Sequence, residues 1–201
     1  LKRLHAYIMT SAAWQQGGVA GLRAIEADPS NELLWRMPPR RLEFEPMRDS
    51  LLSVAGRLDT RLGGRGSQLE DNNLRRAVYG YTDRFRIPAL LRNFDVANPD
   101  TSISKRTETL VPLQSLYLMN STFVRQQALA LTRRPEFVSA GTMRERIAAA
   151  FRLVLARAPH DDEMQLAIGY MSSAPLDSSG ALAWPDLIQG LMLSNEFVFV
   201  D

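Results

Sequence analysis

Apolar residues recur at spacings of three and four along most of this chain, the period of amphipathic helices. Leu1, Leu4, Ile8 and Ala12 set a first helix over 1–16, ended by Gly17-Gly18. Phe44, Met47, Leu51, Val54 and Leu58 fall on one stripe of a second helix over 40–59, with Pro39 suited to its first position, where a missing N–H costs nothing. Leu113, Leu116, Tyr117, Asn120, Val124, Gln127 and Leu131 share a face over 112–134. Met143, Ile147, Phe151, Val154 and Leu155 predict a helix over 142–157, broken by Ala158-Pro159-His160-Asp161. Asp161 or Asp162 caps the next, through Met164, Ala167, Ile168 and Met171. Trp184, Leu187, Ile188, Leu191 and Met192 form the last, closed by Ser194-Asn195-Glu196. The pattern predicts a mainly α fold: a single multi-helix domain over 1–201, of five to six helices, with long loops and at most a small β element.

Between these stretches the signals are shorter. Asp28-Pro29-Ser30-Asn31 reads as a turn and helix start, followed by the apolar patch Leu33, Leu34 and Trp35 and the stop Pro38-Pro39. Gly63-Gly64-Arg65-Gly66 is a loop, Ala77-Val78-Tyr79-Gly80-Tyr81 is the best strand candidate, and 87–94 can form a short helix. Residues 95–112 have loop composition, and eighteen such residues in a compact domain are either functional or draped tightly over the core.

Charge changes the picture most in the second helix. Arg41, Glu45 and Arg48 sit beside its apolar stripe at i,i+4 and i,i+3 spacings, which predicts a ladder of ion pairs at the edge of the core. Arg40, Arg41, Glu43, Glu45, Arg48 and Asp49 are therefore the candidate structural or interaction residues, with Asn120, Asn195 and Glu196 beside them. Glu43, Glu45 and Asp49 could pair for acid–base work, but each has an arginine near it, which keeps a carboxylate ionised and favours a structural role. Pro46 breaks the pattern: inside a helix it removes one backbone bond and crowds the carbonyl of Leu42, so the helix either kinks or restarts there. Asn120 and Gln127 are amides on an apolar stripe and must find partners, with the neighbouring long loop the expected one.

Composition narrows the function classes. The 201 residues are 45% hydrophobic and 23% charged, as in an ordinary globular protein, and no run approaches the length of a membrane span. Net charge is only +2, with acids and bases interleaved, so no nucleic-acid partner is indicated. Lysine occurs only at positions 2 and 105, and arginine carries the remaining cationic charge. The absence of Cys excludes disulfides, thiolate metal sites and haem attachment within these residues. His5 and His160 are not at metal-ligand spacing, Gly63-Gly64-Arg65-Gly66 lacks the Lys-Ser/Thr of a phosphate loop, and Asp95, Asn98 and Asp100 suit turn capping better than calcium. No catalytic, cofactor-binding or metal motif emerges.

Several stretches in order carry a resemblance. They are Leu4-His5 with Thr10-Ser11-Ala12; Asp28-Pro29-Ser30-Asn31 with Leu33-Leu34-Trp35-Arg36; Arg40-Arg41-Leu42-Glu43 with Arg48-Asp49-Ser50; Gly56-Arg57-Leu58-Asp59 with Gly63-Gly64; Val111-Pro112-Leu113-Gln114-Ser115-Leu116 with Met119-Asn120-Ser121; and Ser194-Asn195-Glu196-Phe197 with Val200-Asp201. Together they resemble the C-terminal domain of unknown function of planctomycete cytochrome-c-associated proteins, from whose pattern Pro46 departs. The resemblance implies a large exported, extracytoplasmic protein with a c-type cytochrome-like module and a further domain upstream. Any haem would be held by the upstream portion, with no cofactor in this segment. It supplies no catalytic residues. The expectation is a non-catalytic accessory or interaction domain, partnered by the upstream domains of the same polypeptide. The alternative is a catalytic or carbohydrate-binding domain acting on exported polysaccharide through 40–59 and 95–109. A start at Leu1, already within a helical pattern, reads as a segment of a longer chain.

Overall fold

The computed structural model describes residues 1–18, 21–69, 71–83, 85, 87, 89–106, 109, 111–173 and 183–200. Among them the fold is mainly α: eleven helices, one 3-10 turn and a sheet of two short strands. The helix count exceeds the expected five to six because the 112–134 stripe is split in two and four short helices, Leu22–Ala27, Ala89–Asn93, Pro135–Val138 and Asn195–Val198, form outside the long stripes. Two compact units are present, Leu1–Arg41 with the strand Phe199–Val200, and Leu42–Val198.

The first unit holds α1 (Lys2–Met9), α2 (Leu22–Ala27) and β1 (Arg40–Arg41), which pairs antiparallel with β2 (Phe199–Val200). The helix expected over 1–16 stops at Met9, where Thr10 and Ser11 hydroxyls bond back to the carbonyls of Ala6 and Ile8. Its apolar stripe is not core: α1 buries no residue, and Leu1, Leu4 and Ile8 are exposed. Asp28 starts no helix. Its carboxylate accepts from the Glu32 and Leu33 N–H groups at 3.0 and 2.8 Å, and Asn31 clasps Arg36 through both its amide atoms. Asn31 and Leu34 take φ of 57° and 53°, and the backbone oxygen of Asp28 accepts from the Trp35 indole at 2.8 Å.

The second unit is built on α3 (Phe44–Val54), α6 (Thr122–Leu131), α8 (Met143–Leu155), α9 (Asp161–Ser173) and α10 (Trp184–Met192). Leu52, Val124, Leu131, Ile147 and Ile188 are fully buried among them. Pro46 neither kinks nor restarts α3. The helix begins at Phe44 with Glu43 as N-cap, so proline occupies the first turn, where backbone N–H groups have no helical acceptor. The first helical bond runs from Met47 N–H to the Glu43 carbonyl at 3.0 Å. Arg40 and Arg41 thus precede the helix rather than begin it.

The stretch 112–134 is two helices, α5 (Pro112–Asn120) and α6, because Ser121 takes extended backbone and its hydroxyl accepts from Val124 N–H. The break rotates the buried face of α5 to Gln114 and Leu118, leaving Leu113, Leu116 and Asn120 exposed. α4 (Ala89–Asn93) realises the short helix, and Phe94 just beyond it stacks on Phe44 at 5.4 Å and edge-on to Tyr117 at 5.6 Å. The strand candidate is a 3-10 turn (Ala77–Tyr79), since Asp49 holds the Ala77 N–H at 2.7 Å and only Gly80 bridges to Ser67. α7 (Pro135–Val138) and α11 (Asn195–Val198) complete the unit. α8 opens with a capping box, Thr142 and Glu145 each bonding the other's backbone N–H, and ends at Ala156 with φ 57°.

Candidate functional site

The charged surface of α3 is assembled by arginines from distant segments. Arg106, in the long loop, reaches back with one nitrogen to Glu43 at 2.9 Å and both nitrogens to Glu45 at 2.8 and 3.0 Å. These bonds raise the Arg106 pKa above its ordinary value, the Glu45 hydrogen bond being the first cause. Arg106 therefore pins its part of the loop to the start of α3. Asp95, at φ 55°, accepts from the Thr109 N–H and hydroxyl at 2.8 and 2.6 Å, and Gln114 donates to the Asn93 carbonyl at 2.7 Å.

Arg48 departs most from the expected ladder. It is 3% exposed, with its guanidinium 5.1 Å from the Phe123 ring centroid. It donates to the backbone carbonyl of Arg75 at 3.0 Å and to that of Asn73. Burial pushes its pKa below the ordinary arginine value, opposed by Asp49. Asp49 lies 4.0 Å from Arg48 and 3.7 Å from Arg76. Burial raises the Asp49 carboxyl, against the Ala77 N–H and the two arginines. The neighbouring cations do not outweigh that burial, contrary to the sequence argument.

An open groove of about 490 Å³ runs along this side of α3, lined by Glu45, Pro46, Asp49, Ser53, Arg76 and Val78 among others. Glu43 and Glu45 are both paired with Arg106, and Asp49 holds the Ala77 N–H with Arg48 and Arg76 within 4.0 Å, so each carboxylate already has partners within the chain. The groove lining has no aromatic ring on which a sugar could stack.

The remaining candidates do not join this site. Arg40 and Arg41 lie in β1, opposite Val200 and Phe199. Asn120 is exposed and donates to the Leu116 carbonyl at 2.9 Å, whereas Gln127 is fully buried and takes a bond from Arg57 at 3.2 Å. Asn195 opens α11, and Glu196 there belongs to a second cluster centred on Arg157. Arg157 grips Glu196 through two nitrogens at 2.6 Å and Glu163 through two at 2.7 Å, tying the end of α8 to the start of α9 and to α11. The guanidinium and the His160 N–H hold the Glu163 carboxyl at about 2. Asn98 caps the Asp100 N–H at 3.0 Å, the turn role expected of it. Among the described residues no three His, Cys, Asp or Glu side chains gather as a metal site.

Arg76, Arg106 and Arg157 were missed as organising residues. Their partners lie 27 to 63 positions away or across a helix break, beyond any local spacing rule. The high arginine content was the available signal.

The fold and its arginine-clamped carboxylates define a helical domain organised by long-range guanidinium cross-links. The chain belongs to the PSD1 family, described as a protein of unknown function (DUF1553), whose match covers residues 1–171. No curated protein and no solved structure matches it.

Proposed function

We propose that this chain is a non-catalytic interaction domain of an exported, extracytoplasmic, cytochrome-c-associated multidomain protein of planctomycete type, and that it docks on the upstream domains of its own polypeptide. The observation that carries the docking role is the unburied apolar stripe of α1, where Leu1, Leu4 and Ile8 are 94%, 58% and 46% exposed. A helix with that period normally buries its stripe, and exposed apolar patches mark interaction surfaces. Leu33 and Leu34 are exposed in the same unit, on a loop fixed by Asp28 and Asn31. The pairing of Glu43 and Glu45 with Arg106 supports the non-catalytic part of the reading. The cytochrome association and export rest on the resemblance described above, with haem bound upstream. No helix of the described residues is long and apolar enough to cross a membrane.

Pull-down of the chain with its upstream domains, beside a glycan array, tests the reading. Capture of those domains, lost when Leu4 and Ile8 are replaced by Asp and Gln, is expected. Binding to glycans without binding to the upstream domains overturns it.

A further inference from the structure

We propose that the open groove between the ends of α3 and α6 binds the carboxylates of an acidic polypeptide segment. The groove encloses about 580 Å³ and is lined by Ala55, Gly56, Arg57, Arg133, Arg134 and Glu136 among others. Three arginines thus line it against one glutamate.

The local fold explains how the cations arrive there and shows which of them are already engaged. Gly56 ends α3 in the left-handed region, at φ 70°. Its N–H bonds the Ser53 carbonyl at 2.9 Å, and the Arg57 N–H bonds the Leu52 carbonyl at 2.8 Å. This doubly bonded helix end places Arg57 at the groove wall. Each nitrogen of the Arg134 guanidinium makes a hydrogen bond. Arg134 donates to the Val54 carbonyl at 2.9 Å and to both Glu136 oxygens, at 3.3 and 2.6 Å.

Arg57 and Arg133 differ. Arg57 has one side-chain bond, 3.2 Å to the neutral amide oxygen of Gln127, and no carboxylate partner among the described residues. Arg133 is exposed and its side chain makes no hydrogen bond or ion pair among the described residues. A guanidinium offers five N–H donors in a planar fork, so most of the donor capacity of these two side chains is not used within the described residues. The cations are not required to cap the helix ends they lie beside. The last carbonyls of α3 are taken by Gly56, Arg57 and Arg134 as above. Those of α6 are taken by the N–H groups of Thr132, Arg133 and Arg134 and by the Thr132 hydroxyl.

Ligand class follows from shape and lining. The volume is many times that of a lone oxyanion, and the apolar members Ala55, Ala130 and Pro135 suit the methylenes of Glu and Asp side chains. No aromatic ring is present for a sugar to stack on. Guanidiniums on an open surface bind carboxylates by bidentate bonds and lose affinity with salt. This inference rests on the groove alone and is independent of the apolar face of α1.

The test is a titration of the whole chain with a short oligoglutamate, followed through the arginine Nε–Hε resonances, with oligoglutamine, inorganic phosphate and oligogalacturonate as parallel arms. The Arg57 and Arg133 signals are expected to shift saturably with oligoglutamate only. Arg133→Glu, at an exposed position, is expected to weaken binding by at least about fivefold without lowering the melting temperature, whereas Arg144→Glu, an exposed change on α8, leaves binding unchanged. Absence of saturable binding, equal effects of the two reversals, or tighter binding of phosphate or oligogalacturonate at the same resonances each overturns the proposal.

Discussion

Replacing Arg48 by methionine separates the two contributions that this side chain makes. The long apolar stem is buried where Arg48 lines a small cavity with Phe44, Phe123 and Val124, and methionine retains most of its volume. The guanidinium does something else: it joins α3 to the backbone at Asn73 and Arg75, a segment with no helix or sheet of its own to hold it. Two charge-assisted bonds to carbonyls are worth about 1.5–3 kcal/mol each. Against this stands the cost of burying a guanidinium, several kcal/mol, which the variant relieves. The expected net loss for Arg48→Met is about 1–3 kcal/mol, and for Arg48→Ala about 3–5 kcal/mol, the difference being the cavity left by the stem.

Urea unfolding at neutral pH measures both variants, and amide exchange locates the effect. Protection at Ala77 and Tyr81 is expected to fall more than protection in α8, because Arg48 positions the loop on which Asp49 holds the Ala77 N–H and Ser67 holds that of Tyr81. A methionine variant as stable as the parent, with loop exchange unchanged, would refute the reasoning: the buried cation would then be a net burden that the fold tolerates.

Three further outcomes are expected. Pro46→Ala should change stability by less than about 1 kcal/mol in chemical denaturation, because the residue sits in the first turn of α3; a gain near 3 kcal/mol would mean that proline interrupts a continuous helix. Thr142→Ala removes the hydroxyl that accepts from Glu145 N–H and should lower stability by about 0.5–2 kcal/mol, read as a lower thermal midpoint. Glu163 has a folded pKa of about 2, below its ordinary 4.5, so its contribution is fully present above about pH 4.5 and is lost as pH falls through 2. Screening at this partly exposed triad reduces that contribution to about 1 kcal/mol. Glu163→Gln should therefore flatten the dependence of the melting temperature on pH in that window, and an unchanged slope would count against the Arg157 cluster.

Helices that pack along their full length were legible in the sequence. Met143–Leu155 and Asp161–Ser173 appear within two residues of their expected bounds because the apolar period is unbroken there, although Asp161 and Asp162 lie inside the helix rather than capping it. Elsewhere a local cap overrode a continuing period. Ser121 split the stripe through Leu113 and Val124, and the amide of Gln189 took up a freed carbonyl by donating to Met119 at 2.9 Å. Period alone could not reveal that the stripe of α1 stays exposed among the described residues, since burial depends on what packs against a helix. The α3 site was legible in its residue types but not its pairings. Glu45 looked toward Arg41 and Arg48 by spacing, and its partner came from the loop at Arg106.

The preference for arginine over lysine acquires a structural reason in these pairings. Arg106 spans two glutamates, Arg157 spans two glutamates on different helices, Arg134 spans a carboxylate and a helix-end carbonyl, and Arg48 spans two loop carbonyls. Each cross-link uses at least two nitrogens of one planar group to fix two separate chain segments. An ammonium can donate to several acceptors but offers no rigid fork to set their relative positions. In a chain without disulfides, and with short helices joined by long loops, such forks hold irregular segments to the helical core. Arg57 and Arg133 present the same group without carboxylate partners among the described residues, at the edge of a groove. The chemistry that ties this chain to itself is there directed outward.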